Sequence, residues 1–265
     1  MGAVAFLFAG QGAQVPGMAS DIKDVPKVKK LFDLAEGIAP GVVGKMLGGT
    51  QEELNRTLLT QPTMFLADLA YAYVKEQELG APSCVCGFSV GEVPALCFAG
   101  ALSEEDAFRA IVKRAELMEA YTQRVAGCML AVVKLPADQV EALCDNVNTH
   151  PANYNGALQT VVACRAEAEA DFTARVKEAG GRAMKLRVSG MFHCPELAPE
   201  AEAFESFLRT LGWRAPRLPV YANLTAQPYE GVFAHTLALQ MRSPVRFTAT
   251  VANMRAAGVD TFVEV

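Results

Sequence analysis

Ser89 lies in Gly87-Phe88-Ser89-Val90-Gly91, a G-x-S-x-G pentapeptide, and a serine in that setting can serve as a nucleophile. The pattern works through shape. A buried strand must end in a sharp turn and pass at once into a helix, with glycines where side chains would strike neighbouring backbone. The hydroxyl then projects at the helix N-terminus, where the N–H of the next residue, Val90, can face a developing oxyanion. A serine hydroxyl is a weak nucleophile without a base. The chain has 3 histidines to offer: His150, His193 and His235. His193 follows directly on a predicted strand, where loops carry function, and this favours it over His150 in a polar loop and His235 early in a helix. No metal chemistry is expected, because none of the 7 cysteines pairs as C-x-x-C and no histidine cluster joins them.

The elements that must hold these residues can be read from apolar periodicity. Val4 to Ala9 and Ala81 to Gly87 read as buried strands, the second leading into the serine turn and a helix from Glu92 to Ala99. Helical patterns cover Lys27 to Glu36 and Glu52 to Leu58. Pro62 is placed in the first turn of the next helix, and Ser103 caps a long helix from Glu104 to Arg124. From Gly127 the pattern becomes β-α-β-α-β, ending with a strand at Arg182 to Val188, which fits a small α+β unit of the ferredoxin-like, split βαβ kind. Strands and helices then resume through Pro199 to Leu211, Leu218 to Leu224, Thr236 to Met241, Phe247 to Gly258 and Thr261 to Val265. The expected organisation is one α/β domain, residues 1–126 and 189–265, with a mostly parallel sheet and an insert at 127–188.

Composition narrows the class of function. The 265 residues are 51% hydrophobic and 20% charged, which supports a folded core. A net charge of −5 argues against a general nucleic-acid binder. No uncharged apolar run is long enough for a membrane span, and the N-terminal run lacks a basic segment that would mark a targeting signal. An odd cysteine count in apolar surroundings suggests free thiols and an intracellular, reducing compartment, either cytoplasm or mitochondrial matrix.

Several segments together resemble the malonyl-CoA:acyl-carrier-protein transacylase family, whose fold also forms the acyltransferase domains of fatty-acid and polyketide synthases. They are "FLFAGQGAQVPGMA" from Phe6, "TQPT" from Thr60, "GFSVGE" from Gly87, "KRAELM" from Lys113, "NYNG" from Asn153, "VSGMFHCPEL" from Val188 and "LQMRSPVRF" from Leu239. The resemblance implies a hydrolase-like core and a malonyl group moved from coenzyme A to the phosphopantetheine thiol of holo-acyl carrier protein. It implies Ser89 as nucleophile, His193 as base and acid, and Gln240 as the residue whose main-chain carbonyl orients the histidine. It further implies main-chain N–H groups of Gln11 and Val90 as the oxyanion hole and Arg114 as the holder of the malonyl carboxylate. Phe192, before the histidine, would crowd a C2 methyl and so select malonyl over methylmalonyl groups. No cofactor is expected, and a monomer is.

Two features depart from the family. Phe88 stands where many bacterial members have histidine, and members usually continue past Val265 with Gly-Pro-Gly and a helix, so this chain reads as shortened. Carrier proteins are acidic, so docking needs a local basic patch, for which Arg182, Lys185 and Arg187 are candidates. Cys194, beside the histidine, is expected to be part of the wall. An esterase of the α/β-hydrolase kind would need an acid between serine and histidine and an HGGG-like turn, and the chain has no HGGG. A non-catalytic docking module is the other alternative, and the retention of every named polar position argues against it.

Overall fold

A computed structural model describes residues 2–188 and 190–265, so the expected boundary at residue 189 lies outside the described residues. The first part of the chain runs β1 (Ala3–Phe8), α1 (Pro26–Ile38), α2 (Val42–Gly48), α3 (Gln51–Leu54), α4 (Thr57–Leu79), β2 (Cys84–Gly87), α5 (Glu92–Phe98) and α6 (Glu104–Thr122). The second runs β3 (Gly127–Val133), α7 (Ala137–Leu143), β4 (Thr149–Gly156), β5 (Gln159–Arg165), α8 (Glu169–Glu178) and β6 (Arg182–Lys185). The third adds α9 (Ala198–Leu208), β7 (Val220–Tyr221), α10 (Phe233–Gln240), α11 (Phe247–Ala256) and β8 (Val259–Glu264).

Two sheets result. Strands β7-β2-β1-β8 form a parallel sheet in that order. Its strands β1 and β2 are apolar almost throughout rather than alternating, as a sheet covered on both faces requires. The aromatic rings of Phe6 and Phe8 pack against Phe98 of α5, with centroids 5.9 and 5.7 Å away. Ser103 caps α6 by accepting the Asp106 N–H at 3.0 Å. Among the described residues no helix is long and apolar enough to cross a membrane, and no group of three or more His, Cys, Asp or Glu could hold a metal ion.

The second sheet has the order β4-β5-β3-β6 and is antiparallel throughout. Its chain order is β-α-β-β-α-β, one strand more than the sequence suggests. The extra strand is β4, where a polar loop around His150 was expected. Its sequence, Thr-His-Pro-Ala-Asn-Tyr-Asn-Gly, has weak strand propensity, and it pairs with β5 through two register shifts. It is an edge strand, where Pro151 is tolerated. Its other side is tied to the parallel half: Tyr154 N–H donates to the Val245 carbonyl at 2.9 Å and Val245 N–H to the Ala152 carbonyl at 2.8 Å.

A second difference lies at Pro62, which sits inside α4 rather than in its first turn. The helix forfeits one N–H there, yet Thr60, Gln61, Thr63, Met64, Phe65 and Leu66 are all buried around it. Tertiary burial thus outweighs the local stop signal. The preceding helical pattern breaks into α3, held by a capping box between Thr50 and Glu53, and the start of α4.

The antiparallel half has its own apolar core, which includes Val132, Val140, Val162, Phe172 and Val176. Phe172 on α8 is fully buried there. Phe172→Ala should therefore cost about 3–5 kcal/mol, read by chemical denaturation. Hydrogen exchange should accelerate more in β3 and β5 than in β1 and β2.

Candidate active site

The serine turn is built by contact. A Cβ on Gly87 would lie 1.9 Å from the Gly91 carbonyl carbon, and one on Gly91 would lie 2.4 Å from the Phe8 carbonyl oxygen. Both positions therefore admit only hydrogen, and the turn is pressed onto the end of β1. Ser89 itself takes φ = +53°, a left-handed conformation that a non-glycine residue holds only under constraint. Asn223, just after β7, supplies that constraint. Its Oδ1 accepts the Ser89 N–H at 2.7 Å and its Nδ2 donates to the Gly87 carbonyl at 2.6 Å. Phe88 packs edge-on against Phe247, with ring centroids 5.4 Å apart, and fills the space beside Gly10.

His193 brings Nε2 to 2.7 Å from Ser89 Oγ. Its Nδ1 lies 2.9 Å from the main-chain carbonyl of Gln240. A carbonyl only accepts, so the ring proton sits on Nδ1 and Nε2 is left to accept the serine proton. Burial and the nearby Arg114 charge push the imidazole down to about 4, and the Gln240 carbonyl only partly opposes them. The ring is thus neutral at pH 7, the form a base requires. His193 also takes a left-handed conformation, φ = +56°.

Arg114 enters from α6 with 1% of its surface exposed. Its Nη1 donates to Gln61 Oε1 at 2.8 Å and its Nη2 to Gln240 Oε1 at 3.0 Å. Nη2 also lies 3.3 Å from Ser89 Oγ, and Nε has no partner. Burial lowers the guanidinium to about 10, so it stays charged at neutral pH. Glu92, at the start of α5, is buried, and desolvation raises it to about 7 against bonds from Tyr229, Asn223 and Gln240.

A cavity of ≈ 180 Å³ opens on this cluster between the two sheets, lined by Gln11, Ser89, Met118, Met129, Phe192 and His193 among others. Gln11 Nε2 and Asn155 Oδ1 are buried there without partners. Val90 follows the serine and is buried. The structure does not bring the other histidines to Ser89. The ring of His150 lies 3.2 Å from the Val147 carbonyl, and His235 pairs with Glu205 at 2.9 Å. Cys194 is buried against Tyr121, and burial raises its thiol to about 11. Of the basic residues considered for docking, Lys185 is paired with Glu169 at 2.6 Å, while Arg182 and Arg187 are exposed.

Gln61, Glu92 and Asn223 carry no role in the sequence reading, yet Gln61 holds Arg114, Asn223 holds the Ser89 turn, and Glu92 accepts from the side chain of Gln240, whose carbonyl orients His193. Gln61 and Glu92 lie inside the motifs "TQPT" and "GFSVGE". For Asn223, in a predicted strand, the chain offers no local signal.

The family described as acyl transferase domain matches residues 5–265. The malonyl CoA-acyl carrier protein transacylase of Bacillus subtilis is 32% identical over 100% of this chain and 87% of its own length. The polyketide biosynthesis protein ThaF of Burkholderia thailandensis is 35% identical over 98% of this chain, which spans only 23% of that longer protein. Among solved structures, a malonyl-transacylase in complex with a type II polyketide acyl-carrier protein superposes with TM-score 0.93 at 31% identity, covering 99% of this chain and 88% of that one.

Asn223→Ala would leave the Ser89 N–H and the Gly87 carbonyl without their partner. Each buried group so orphaned costs about 1–3 kcal/mol, so the urea midpoint should fall accordingly. An unchanged midpoint would mean that the turn holds itself.

Proposed function

The chain belongs to the acyl transferase family, and on that premise we propose that it carries a malonyl group from coenzyme A to the phosphopantetheine thiol of acyl carrier protein, in fatty-acid or polyketide synthesis. The observation that carries the reading is Arg114. It is a buried guanidinium 3.3 Å from the nucleophile, it is held by two neutral amides, and among the described residues it forms no ion pair, the charge of Glu92 reaching it without direct contact. A charge so placed favours an acyl group that ends in a carboxylate, and its planar fork suits that group.

The reaction follows from the hydrogen-bond directions. Ser89 Oγ attacks the thioester carbonyl while Nε2 of His193 takes its proton. The negative charge on the carbonyl oxygen is met by the main-chain N–H groups of Val90 and Gln11. As the tetrahedral species collapses, the C–S bond breaks and His193 returns the proton to the coenzyme A thiolate, leaving a malonyl ester on Ser89. In the second half His193 takes the proton of the phosphopantetheine thiol, the sulfur attacks the ester, and the proton returns to Ser89. No cofactor enters this route. The Gln240 carbonyl supports the imidazolium that forms without placing a negative charge beside it. Phe192 in the cavity wall supports malonyl over methylmalonyl groups. The related transacylase solved with its acyl-carrier protein supports the partner, and exposed Arg182 and Arg187 fit an acidic docking face. Free thiols at all 7 cysteines support a reducing compartment.

Mixing the protein with malonyl-CoA should give a malonyl adduct of one group per chain by mass spectrometry, absent in Ser89→Ala. Arg114→Ala should lower malonyl transfer at least about 100-fold, roughly 2.7 kcal/mol, and acetyl transfer far less. Equal losses would assign Arg114 a packing role. Since only the neutral imidazole accepts a proton, kcat/KM for malonyl-CoA should be flat from pH 7 down to about 5 and fall as His193 protonates towards its value of about 4. An acid limb centred at pH 6.5 or above that persists in Glu92→Gln, which removes the neighbouring acid of about 7, would contradict that assignment.

A further inference from the structure

Arg114 is restrained in an unusual way for a buried guanidinium. Such groups are ordinarily compensated by a carboxylate, because an unpaired charge away from water is costly. Here both terminal nitrogens end on amide oxygens, Nη1 on Gln61 and Nη2 on Gln240. Glu92 acts on Arg114 electrostatically but makes no ion pair with it among the described residues. The Gln240 amide lies between them, its Oε1 accepting from Arg114 and its Nε2 donating to Glu92 Oε2 at 3.0 Å. Glu92 is in turn occupied by the Tyr229 hydroxyl and, at 3.0 Å, the Asn223 N–H.

The orientation of the Gln61 amide is also determined. Its Nε2 lies 3.1 Å from the Met118 sulfur, which can only accept, so its oxygen is the atom turned to Arg114. Gln61 is fully buried in the middle of α4, where a leucine or methionine would pack with no polar group to satisfy. A carboxylate of nearly the same shape in that position would bond the guanidinium more strongly than the amide does. The amide supplies the same geometry without cancelling the charge.

We propose that Gln61 determines specificity by being neutral: with Gln240 it holds Arg114 while leaving the guanidinium without a directly bonded carboxylate, and this selects acyl groups that end in a carboxylate over uncharged ones. The inference rests on the reading that Arg114 receives the substrate's carboxylate. Gln61 touches no reacting atom in this scheme. It acts through the arginine.

The test separates charge from geometry, using the ratio of kcat/KM for malonyl-CoA to that for acetyl-CoA. Gln61→Glu should lower that ratio at least tenfold, through loss of malonyl transfer, with acetyl transfer kept within about threefold, because an internal ion pair now competes with the substrate. Gln61→Met, which removes the bond but adds no charge, should keep the ratio within about threefold of the parent. If positioning alone mattered the order would reverse. The glutamate, a better acceptor, would keep the ratio and the methionine would lose it, and that result overturns the proposal. Should the glutamate variant not fold, the methionine variant decides alone, since a ratio as low as that of Arg114→Ala overturns the proposal and a retained ratio supports it. Arg114→Ala is the control. If it too keeps the malonyl preference, the reading of Arg114 fails. If it loses the preference while Gln61→Glu keeps it, only the present inference fails.

Discussion

Gln240 bonds the base through its main chain and both the nucleophile's peptide and the arginine through its side chain. Its carbonyl meets His193 Nδ1 at 2.9 Å, its Nε2 meets the Ser89 carbonyl at 2.7 Å, and its Oε1 meets Arg114 at 3.0 Å. The reacting geometry therefore depends on how the end of α10 is held. That end is buried, and displacing it would break several bonds at once. A neutral residue suits this place. An acid there would pair with Arg114 and compete with any carboxylate brought by a substrate.

The surroundings absorb considerable local strain and desolvation. Ser89 and His193 both occupy left-handed backbone, each costing about 1–3 kcal/mol. Arg114 and Glu92 are charged or chargeable groups out of water. These costs are offset by the apolar mass around them: the phenylalanines of β1 and α5, and the buried stretch of α4 from Thr60 to Ala70. The two buried ionisable groups do not pair directly because the Gln240 amide bonds both, accepting from Arg114 and donating to Glu92.

The division into two sheets gives the site its cleft. The parallel half supplies nucleophile, base and arginine, and the antiparallel half supplies the facing wall at Met129, Asn153 and Val161. The halves are joined beside the site by the exchange of backbone bonds between β4 and Val245. Val245 lies five residues after Gln240, so the strand that closes the second sheet also anchors the segment that orients the histidine.

Much of this was legible in the chain, because several signals are local. The G-x-S-x-G turn is a matter of backbone contact between residues four apart, and apolar runs that do not alternate mark a covered parallel sheet. The motifs from "FLFAGQGAQ" to "LQMRSPVRF" identified the family. Other features depend on partners distant in sequence, and no local pattern carries them. Thr149 to Gly156 is a strand only because β5 and Val245 complete its hydrogen bonds. Pro62 lies within a helix because burial outweighs one missing N–H. Asn223 holds a turn 134 residues away. The sequence determined which groups can react. The tertiary structure decided their tautomer, charge and aim, because these are set by desolvation and by hydrogen bonds that exist only once α4, α6 and α10 meet at the end of β2.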